Sequence, residues 1–292
     1  MAGVVAGSPR LRPIVSGAPA ARLAVLGKPI AHSQSPALHR AAYVALGLDW
    51  QYDAVEMDGD SLAQFIRSRD NSWRGLSLTM PLKRDVLPLL DSESDLVQQT
   101  GSANTVLFEG GSVLGFNTDV YGITEAFRRH GRAELPTVLI LGGGATAASA
   151  IVASARMSAT RVFLAVRSPE RSAGLVDIGR AQGVEILIRP IGAIDQIDER
   201  VDAVISTLPN GTNISLSFDP DTTRTATLFD VAYHPWPSTL AAAWTGEDVI
   251  SGLEMLVLQA LAQVRIFVGG DEAAVLPDED RVLAAMLSAV GL

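Results

Sequence analysis

The 292-residue sequence contains no cysteine and only four histidines. The absence of cysteine excludes disulfides, thiolate metal ligands and cysteine nucleophiles, and it agrees with a reducing cytoplasm as the location. The histidines do not follow the H-x-x-x-H or H-E-x-x-H spacing of metal sites, and the G-x-S-x-G motif of hydrolases is missing. These absences disfavour metal-dependent and serine or cysteine hydrolases.

Basic residues are scarce relative to acidic ones, with 23 Lys and Arg against 32 Asp and Glu and a net charge of −9. Such a balance repels phosphate, so neither nucleic acid nor an anionic membrane is expected as a partner. No continuous apolar run reaches the roughly 18 residues of a membrane span. The first twenty residues lack a compact apolar stretch behind a basic start. We therefore expect residues 1–21 to be a flexible extension and not a signal peptide.

Short aliphatic runs alternate with amphipathic stretches from residue 22 onward, a pattern typical of βαβ units and a parallel sheet. In the first half it predicts strands at 22–27, 50–57 and 75–80 and helices at 35–48 and 60–69. In the second half it predicts a strand and a helix within 137–157, strands at 161–168, 183–190, 201–209 and 227–233, and a helix at 251–270. That last helix is apolar nearly all round, which indicates burial. The fold class is α/β in two halves.

A glycine-rich stretch, LILGGGATAAS, joins an apolar strand to an Ala-rich helix. Gly142, Gly144 and Ala147 in it have the G-x-G-x-x-A spacing. Glycines there let the backbone approach a pyrophosphate, which the helix N-terminus stabilises. A plain glycine turn is the alternative, but the strand and helix on either side favour a dinucleotide site.

The end of the next predicted strand indicates which dinucleotide is bound. An Asp or Glu in this position usually holds the ribose hydroxyls of NAD. This chain instead has Arg167, Ser168 and Arg171. Two guanidinium groups and a hydroxyl can bind a phosphate dianion, so NADP is favoured over NAD. Solvated surface arginines are the alternative.

Small polar residues cluster at the predicted ends of elements in the first half. Ser33 and Ser35 precede a helix that has Pro36 near its first position, so Ser35 is a natural N-cap. Two serines beside a helix N-terminus could also bind a carboxylate. Further polar residues, each of which could equally be a turn residue, are Asn104, Asn117 and Asp119.

These stretches together resemble the shikimate dehydrogenase family. The matching motifs are GKPIAHSQSPALH, GLSLTMPLK, GSANT, GFNTDVYG, the glycine loop, DVAYHP and GLEMLVLQA, in the family's order. The resemblance implies a discontinuous substrate-binding α/β domain (22–119 and 251–292), a Rossmann-type NADP-binding domain (120–250) and a cleft between them. It also implies reversible reduction of 3-dehydroshikimate to shikimate by NADPH, in aromatic amino acid biosynthesis. A homodimer is one alternative for the oligomeric state, which the sequence leaves open.

The resemblance also assigns roles to individual residues. It implies that Ser33 and Ser35 hold the shikimate carboxylate and that Lys83 and Asp119 form the catalytic pair. The residues implied to bind the hydroxyls or line the substrate pocket are Thr79, Asn104, Asp119, Tyr233 and Gln259. The residues implied to bind the cofactor are Gly142, Gly143, Gly144, Ala145, Arg167, Ser168, Arg171, Thr207 and Gly252.

Two of these residues are informative on their own chemistry. Reducing a ketone needs a proton donor within hydrogen-bond reach of the carbonyl oxygen. Lys83 is the candidate, either as proton donor or as a cation that polarises the carbonyl, although a lysine in the first turn of a helix opposes the helix dipole. Gln259 lies in the predicted apolar helix, where its buried amide needs partners from a substrate polyol or from the core.

Five places depart from the family's usual pattern, and one of them is PSTL at 237–240, which lacks the familiar Thr-Pro order. Ser77 stands where the family usually has an asparagine, which puts that substrate contact in doubt or routes it through water. Arg40, Val166 and Ser206 also replace asparagines. The catalytic pair is unaffected, and cofactor affinity is the more exposed property. The alternatives for function are a quinate- or shikimate-type dehydrogenase with relaxed cofactor use, and a nonenzymatic module that binds NADP or a metabolite.

Overall fold

The computed structural model describes residues 20–209, 211–212 and 216–292. Most of the expected flexible extension, residues 1–19, lies outside the described residues, and Ala21 already begins the first strand. The described chain forms two six-stranded sheets.

The first sheet has the strand order β2-β1-β3-β5-β6-β4. Its strands are β1 (Ala21–Gly27), β2 (Trp50–Glu56), β3 (Trp73–Leu78), β4 (Ser92–Glu93), β5 (Thr105–Glu109) and β6 (Ser112–Phe116). β1 pairs in parallel with β2 and β3, whereas β5 is antiparallel to both β3 and β6. The predicted parallel pairing is therefore confirmed for the first three strands, whereas β5, where no strand was predicted, is antiparallel. Its hairpin with β6 turns at Gly110 and Gly111, whose positive φ angles of 60° and 86° suit glycine.

Five helices of the described chain follow these strands; the first two lie close to the predicted 35–48 and 60–69, and no range was predicted for the other three. They are α1 (Ser35–Leu46), α2 (Gly59–Arg67), α3 (Leu82–Asp85), α4 (Asp95–Thr100) and α5 (Asp119–Arg129). The N-cap of α1 is Gln34, so the prediction that Ser35 caps this helix is wrong. The backbone is already helical at Gln34, and Ser35 becomes the first residue of the helix.

The second sheet is parallel throughout, with the strand order β12-β11-β10-β7-β8-β9. Its strands are β7 (Thr137–Leu141), β8 (Arg161–Val166), β9 (Glu185–Pro190), β10 (Ala203–Ser206), β11 (Thr227–Asp230) and β12 (Val249–Ser251). Helices α6 (Ala145–Arg156), α7 (Gly174–Ala181), α8 (Pro220–Thr225) and α9 (Thr239–Ala242) connect them. This is the doubly wound order, in which ligands bind where the strand order reverses, here between β7 and β10.

The last two helices, α10 (Gly252–Gly269) and α11 (Glu279–Ala289), return the chain to the first sheet. Met255 and Leu258 of α10 pack in the core of the second sheet, whereas Val264 and Phe267 pack in the core of the first. By length and composition α10 could cross a membrane, but 67% of its apolar window is buried inside the protein. The helix thus links the two halves, as the discontinuous arrangement requires, whereas the domain boundaries at 119/120 and 250/251 stay a prediction.

Candidate active site

A cleft between the two sheets contains two adjoining cavities, which we call the larger and the smaller cavity. The larger cavity, of about 790 Å³, is lined by the glycine loop after β7, the ends of β8 and β10, and residues 79–81, 83 and 84. The smaller cavity, of about 350 Å³, lies over the ends of β1 and β3 and beside α10. Thr79, Lys83 and Thr146 line both cavities. A ligand in one cavity would therefore meet a ligand in the other beside Lys83.

Lys83 and Asp119 form a buried ion pair at this junction. Lys83 Nζ lies 2.5 Å from Asp119 Oδ2, with side-chain exposures of 13% and 4%. Asp119 is the first residue of α5, and its other oxygen, Oδ1, accepts a hydrogen bond from Asn104 Nδ2 (2.8 Å). Lys83 belongs to α3, which spans only four residues. So short a helix aligns few peptide dipoles, and the opposition between the lysine and a helix dipole expected from the sequence is small.

Two buried asparagines hold the loop that carries Asp119. Asn104 accepts a hydrogen bond at Oδ1 from the backbone N–H of Thr118 (2.9 Å), and its amide donates to Thr118 Oγ1 (2.9 Å). Asn117 donates to Thr100 Oγ1 (2.9 Å) and accepts at Oδ1 from the backbone N–H of Asp119 (3.0 Å). Asn104 lines the smaller cavity and Asn117 does not. Of the two roles that the sequence left open for Asn117, ligand or turn residue, the structure therefore favours the turn residue.

The remaining predicted substrate residues surround the smaller cavity. Ser33 and Ser35 lie on one side, where the backbone N–H of Ser35 donates to Ser33 Oγ (3.3 Å). Tyr233 lines the cavity, and burial raises the pKa of its hydroxyl. Gln259 also lines it, with its amide nitrogen donating to the carbonyl of Leu256 (2.8 Å). The helix backbone thus satisfies part of the Gln259 amide, which agrees with the alternative that this amide finds its partners in the core. The side-chain oxygen Oε1 of Gln259 lies 3.4 Å from Asn104 Nδ2.

The glycine loop packs so closely against the protein that two of its glycines have no room for a side chain, whereas the third borders open space. Gly142 has a φ of 108°, and a Cβ there would lie 2.5 Å from Thr207 Oγ1. A Cβ on Gly143 would lie 2.5 Å from Ser172 Oγ. Gly144, the N-cap of α6, has open space instead. The free N–H groups at the start of this 12-residue helix suit a pyrophosphate.

The charge of the larger cavity suits a phosphorylated dinucleotide. Among the described residues its lining contains no carboxylate, although the chain as a whole carries a net charge of −9. The cations in the lining are Lys83, Arg84, Arg167 and Arg171. The predicted cofactor residues that line it are Gly142, Gly143, Gly144, Ala145, Arg167, Ser168, Arg171 and Thr207. Gly252 lies in the wall of the smaller cavity instead, where a Cβ would come within 2.1 Å of the Val231 carbonyl oxygen.

Sequence reasoning did not find a buried polar cluster under the smaller cavity. Its members are His39, Tyr43, Tyr52, Ser77 and Gln263. Gln263 lies four residues after Gln259, on the same side of an apolar helix, and that spacing is a signal the sequence does contain. The other members are dispersed along the chain, and Ser77 was noted only for its departure from the family pattern.

His39 is the titratable centre of this cluster. Its ring stacks on Tyr52 with centroids 4.0 Å apart, and its Nε2 lies 3.1 Å from Gln263 Oε1. Burial lowers the pKa of His39 from 6.5 to about 3, partly opposed by the hydrogen bond to Gln263. The imidazole is therefore neutral in the folded protein at any ordinary pH.

We predict that His39 makes the folded protein less stable in acid. The unfolded histidine binds a proton below about pH 6.5, whereas the folded one does so only below about pH 3. The free energy of unfolding should therefore fall as the pH drops below 6.5, by about 2 kcal/mol from this group at pH 5. Urea unfolding of the protein and of His39→Gln at pH 7.5 and pH 5 measures this difference. Parallel losses in the two proteins would contradict the prediction.

Comparisons with known proteins show which family the chain resembles in sequence and in fold. A family model described as the shikimate dehydrogenase substrate binding domain matches residues 25–106. The chain is 31% identical over 256 residues to the shikimate dehydrogenase (NADP(+)) of Halothermothrix orenii, covering 82% of this chain and 88% of that protein. The crystal structure of Mycobacterium tuberculosis shikimate dehydrogenase is 32% identical, with a TM-score of 0.78 over 92% of this chain and 99% of that one. The quinate dehydrogenase of Corynebacterium glutamicum, in complex with NAD, is 25% identical, with a TM-score of 0.77 and the same two coverages. The predicted fold class is confirmed.

Proposed function

The chain belongs to the shikimate dehydrogenase family, and we propose that it catalyses the reversible, NADPH-dependent reduction of 3-dehydroshikimate to shikimate. One observation carries this proposal. Lys83, paired with Asp119, lies in the wall shared by the two cavities, where a hydride donor and a polyol acid would meet. This reaction is part of the shikimate pathway, which leads to the aromatic amino acids.

The chemistry at the junction needs a hydride and a proton. NADPH, when bound, supplies the hydride. Lys83 Nζ is the donor that can reach the substrate ketone oxygen, and Asp119 holds this ammonium by accepting its hydrogen bond. In the reverse direction the same pair receives the proton of the substrate hydroxyl. Asn104 fixes Asp119 from the other side, so the pair keeps one geometry through both directions.

The smaller cavity supplies groups for the rest of the substrate. Ser33 and Ser35 present hydroxyls for the carboxylate, and Asn104 and Gln259 present amides for the ring hydroxyls. Thr79 and Tyr233 complete the wall. The larger cavity would hold NADP, with the pyrophosphate on the glycine loop and the 2′-phosphate between Arg167 and Arg171 with Ser168.

A second candidate, a dehydrogenase that acts on quinate with NAD, is favoured by the similarity to the Corynebacterium enzyme. The arginines beside β8 count against NAD, since they have no phosphate to bind in that cofactor. The third alternative, a nonenzymatic binding module, has less support because Lys83 and Asp119 are both present and paired. We also propose a cytoplasmic location, without nucleic acid or membrane as partners, in line with the lack of cysteine and the acidic balance. The oligomeric state stays a prediction, and a homodimer is the candidate for it.

Steady-state kinetics with shikimate or quinate, each with NADP⁺ or NAD⁺, test the function. We expect the highest kcat/KM for shikimate with NADP⁺, and about a tenfold or greater loss when either partner is exchanged. The absorbance of the reduced nicotinamide follows all four reactions. Quinate with NAD⁺ as the best pair would favour the second candidate, and binding without turnover of any pair would favour the third.

A further inference from the structure

Ser77 lies at the boundary between the buried polar cluster and the smaller cavity. It is the fifth residue of β3 and is only 4% exposed, yet it lines the cavity. Its hydroxyl contacts two protein groups, Tyr52 Oη at 2.6 Å and Gln263 Oε1 at 2.8 Å. A hydroxyl has one proton to donate and two lone pairs to accept with. The direction of these two bonds therefore decides what Ser77 can offer a ligand.

The orientation of Gln263 is determined by a backbone carbonyl, which can only accept, and by a hydroxyl whose own proton is already donated elsewhere. Its Nε2 lies 3.2 Å from the carbonyl oxygen of Asn104, which can only accept. The same nitrogen donates to Thr105 Oγ1 (2.9 Å), whose own proton goes to Asn104 Oδ1 (2.8 Å). The amide nitrogen must face Asn104 and Thr105, so Gln263 Oε1 must face Ser77 and His39. That oxygen accepts from both neighbours, and the amide is fully satisfied.

The proton of Ser77 is consequently committed to Gln263. Because Gln263 Oε1 cannot donate, Ser77 Oγ donates to it, and Tyr52 Oη must then donate to Ser77 Oγ. Tyr52 is completely buried, and burial raises the pKa of its hydroxyl well above the usual range, although the bond to Ser77 opposes this shift. Its proton is therefore always present. One lone pair of Ser77 Oγ has no protein donor among these contacts, and Ser77 lines the cavity.

We propose that Ser77 is a specificity-determining residue that presents only a hydrogen-bond acceptor to the smaller cavity, so that the substrate group beside it must be a hydroxyl donor. Gln263 is the positioning residue that enforces this polarity, because its Oε1 accepts the only proton of Ser77. The inference rests on the proposed function and deepens it, because it states how one ring hydroxyl of the polyol acid is recognised. A ligand without that hydroxyl leaves a buried lone pair unpaired, which lowers its affinity.

The test compares shikimate with analogues that lack either the 4-hydroxyl or the 5-hydroxyl, using NADP⁺ and the intact chain. For the analogue that lacks the hydroxyl beside Ser77, we expect the wild-type protein to show a kcat/KM about 10-fold to 100-fold below that of shikimate. In Ser77→Ala the ratio for that analogue should fall to near one, because the partner of the hydroxyl is gone. Ser77→Cys, whose sulfur is a weak acceptor, should give an intermediate ratio and serves if the alanine variant does not fold.

Tyr52→Phe is the matched control, since it removes a partner of Ser77 without freeing the serine proton. It should keep the wild-type ratio, even if it lowers stability. A purely structural role for Ser77 would reduce kcat/KM for shikimate and both analogues equally, and that result would overturn the inference while leaving the proposed function intact. Absence of shikimate turnover in the wild-type protein would overturn both.

Discussion

Replacing Lys83 with Met lowers kcat for shikimate oxidation by about 10²-fold to 10⁴-fold, which is the usual contribution of a positioned acid or base. The variant removes the donor that adjoins both cavities and leaves the glycine loop unchanged. The affinity for NADPH, measured by fluorescence titration, should therefore stay within about threefold of the wild type. The loss should appear mainly in kcat, because the proton transfer belongs to the transition state.

The chain offers a matched control for this substitution. Its sequence contains only two lysines, and the other one, Lys28, is an exposed partner of Asp58 (3.3 Å). Lys28→Met should leave kcat unchanged. Lys83→Met also leaves the carboxylate of Asp119 buried without its partner, so the melting temperature has to be compared in parallel. Near wild-type turnover in a folded Lys83→Met protein would show that the proton comes from another group.

Much of the fold could be predicted because the pattern of apolar residues is local. Strands β7 to β11 are nearly continuous Val, Ile and Leu runs, which is typical of strands covered on both faces. The hairpin of β5 and β6 was missed because its ends lie in the polar stretches that also carry the site. Gly110 and Gly111 between two alternating segments were the available signal.

The site was predicted as a set of residues but not as a geometry. The glycine loop, Lys83 and Asp119 could be identified because each lies in a short motif. The cluster beneath them could not, because its contacts depend on tertiary packing. Ser77 and Gln263 are 186 residues apart, and their contact arises only once α10 packs against the end of β3. The polarity of Ser77 depends in turn on which way the Gln263 amide points.

Loss of the larger cavity's preference for NADP⁺ over NAD⁺ is the second large effect we expect. Arg167 and Arg171 follow β8, on the side where the 2′-phosphate of NADP would lie. Each guanidinium that binds this dianion should contribute about 1.5–3 kcal/mol, as hydrogen bonds to charged groups do. Arg167→Ala or Arg171→Ala should therefore raise KM for NADP⁺ about 10-fold to 100-fold.

The same substitutions should leave KM for NAD⁺ nearly unchanged, because that cofactor lacks the phosphate. The quantity to measure is the ratio of kcat/KM for NADP⁺ to that for NAD⁺, which a general loss of folding would not alter. Arg180, an exposed partner of Asp177 on α7, is the matched control, and Arg180→Ala should keep the wild-type ratio. If both cofactors weaken equally in Arg167→Ala and Arg171→Ala, the two arginines stabilise the loop after β8 and do not select the phosphate. A selective loss of NADP⁺ in only one variant would assign the phosphate to that arginine, with the other left as a surface cation.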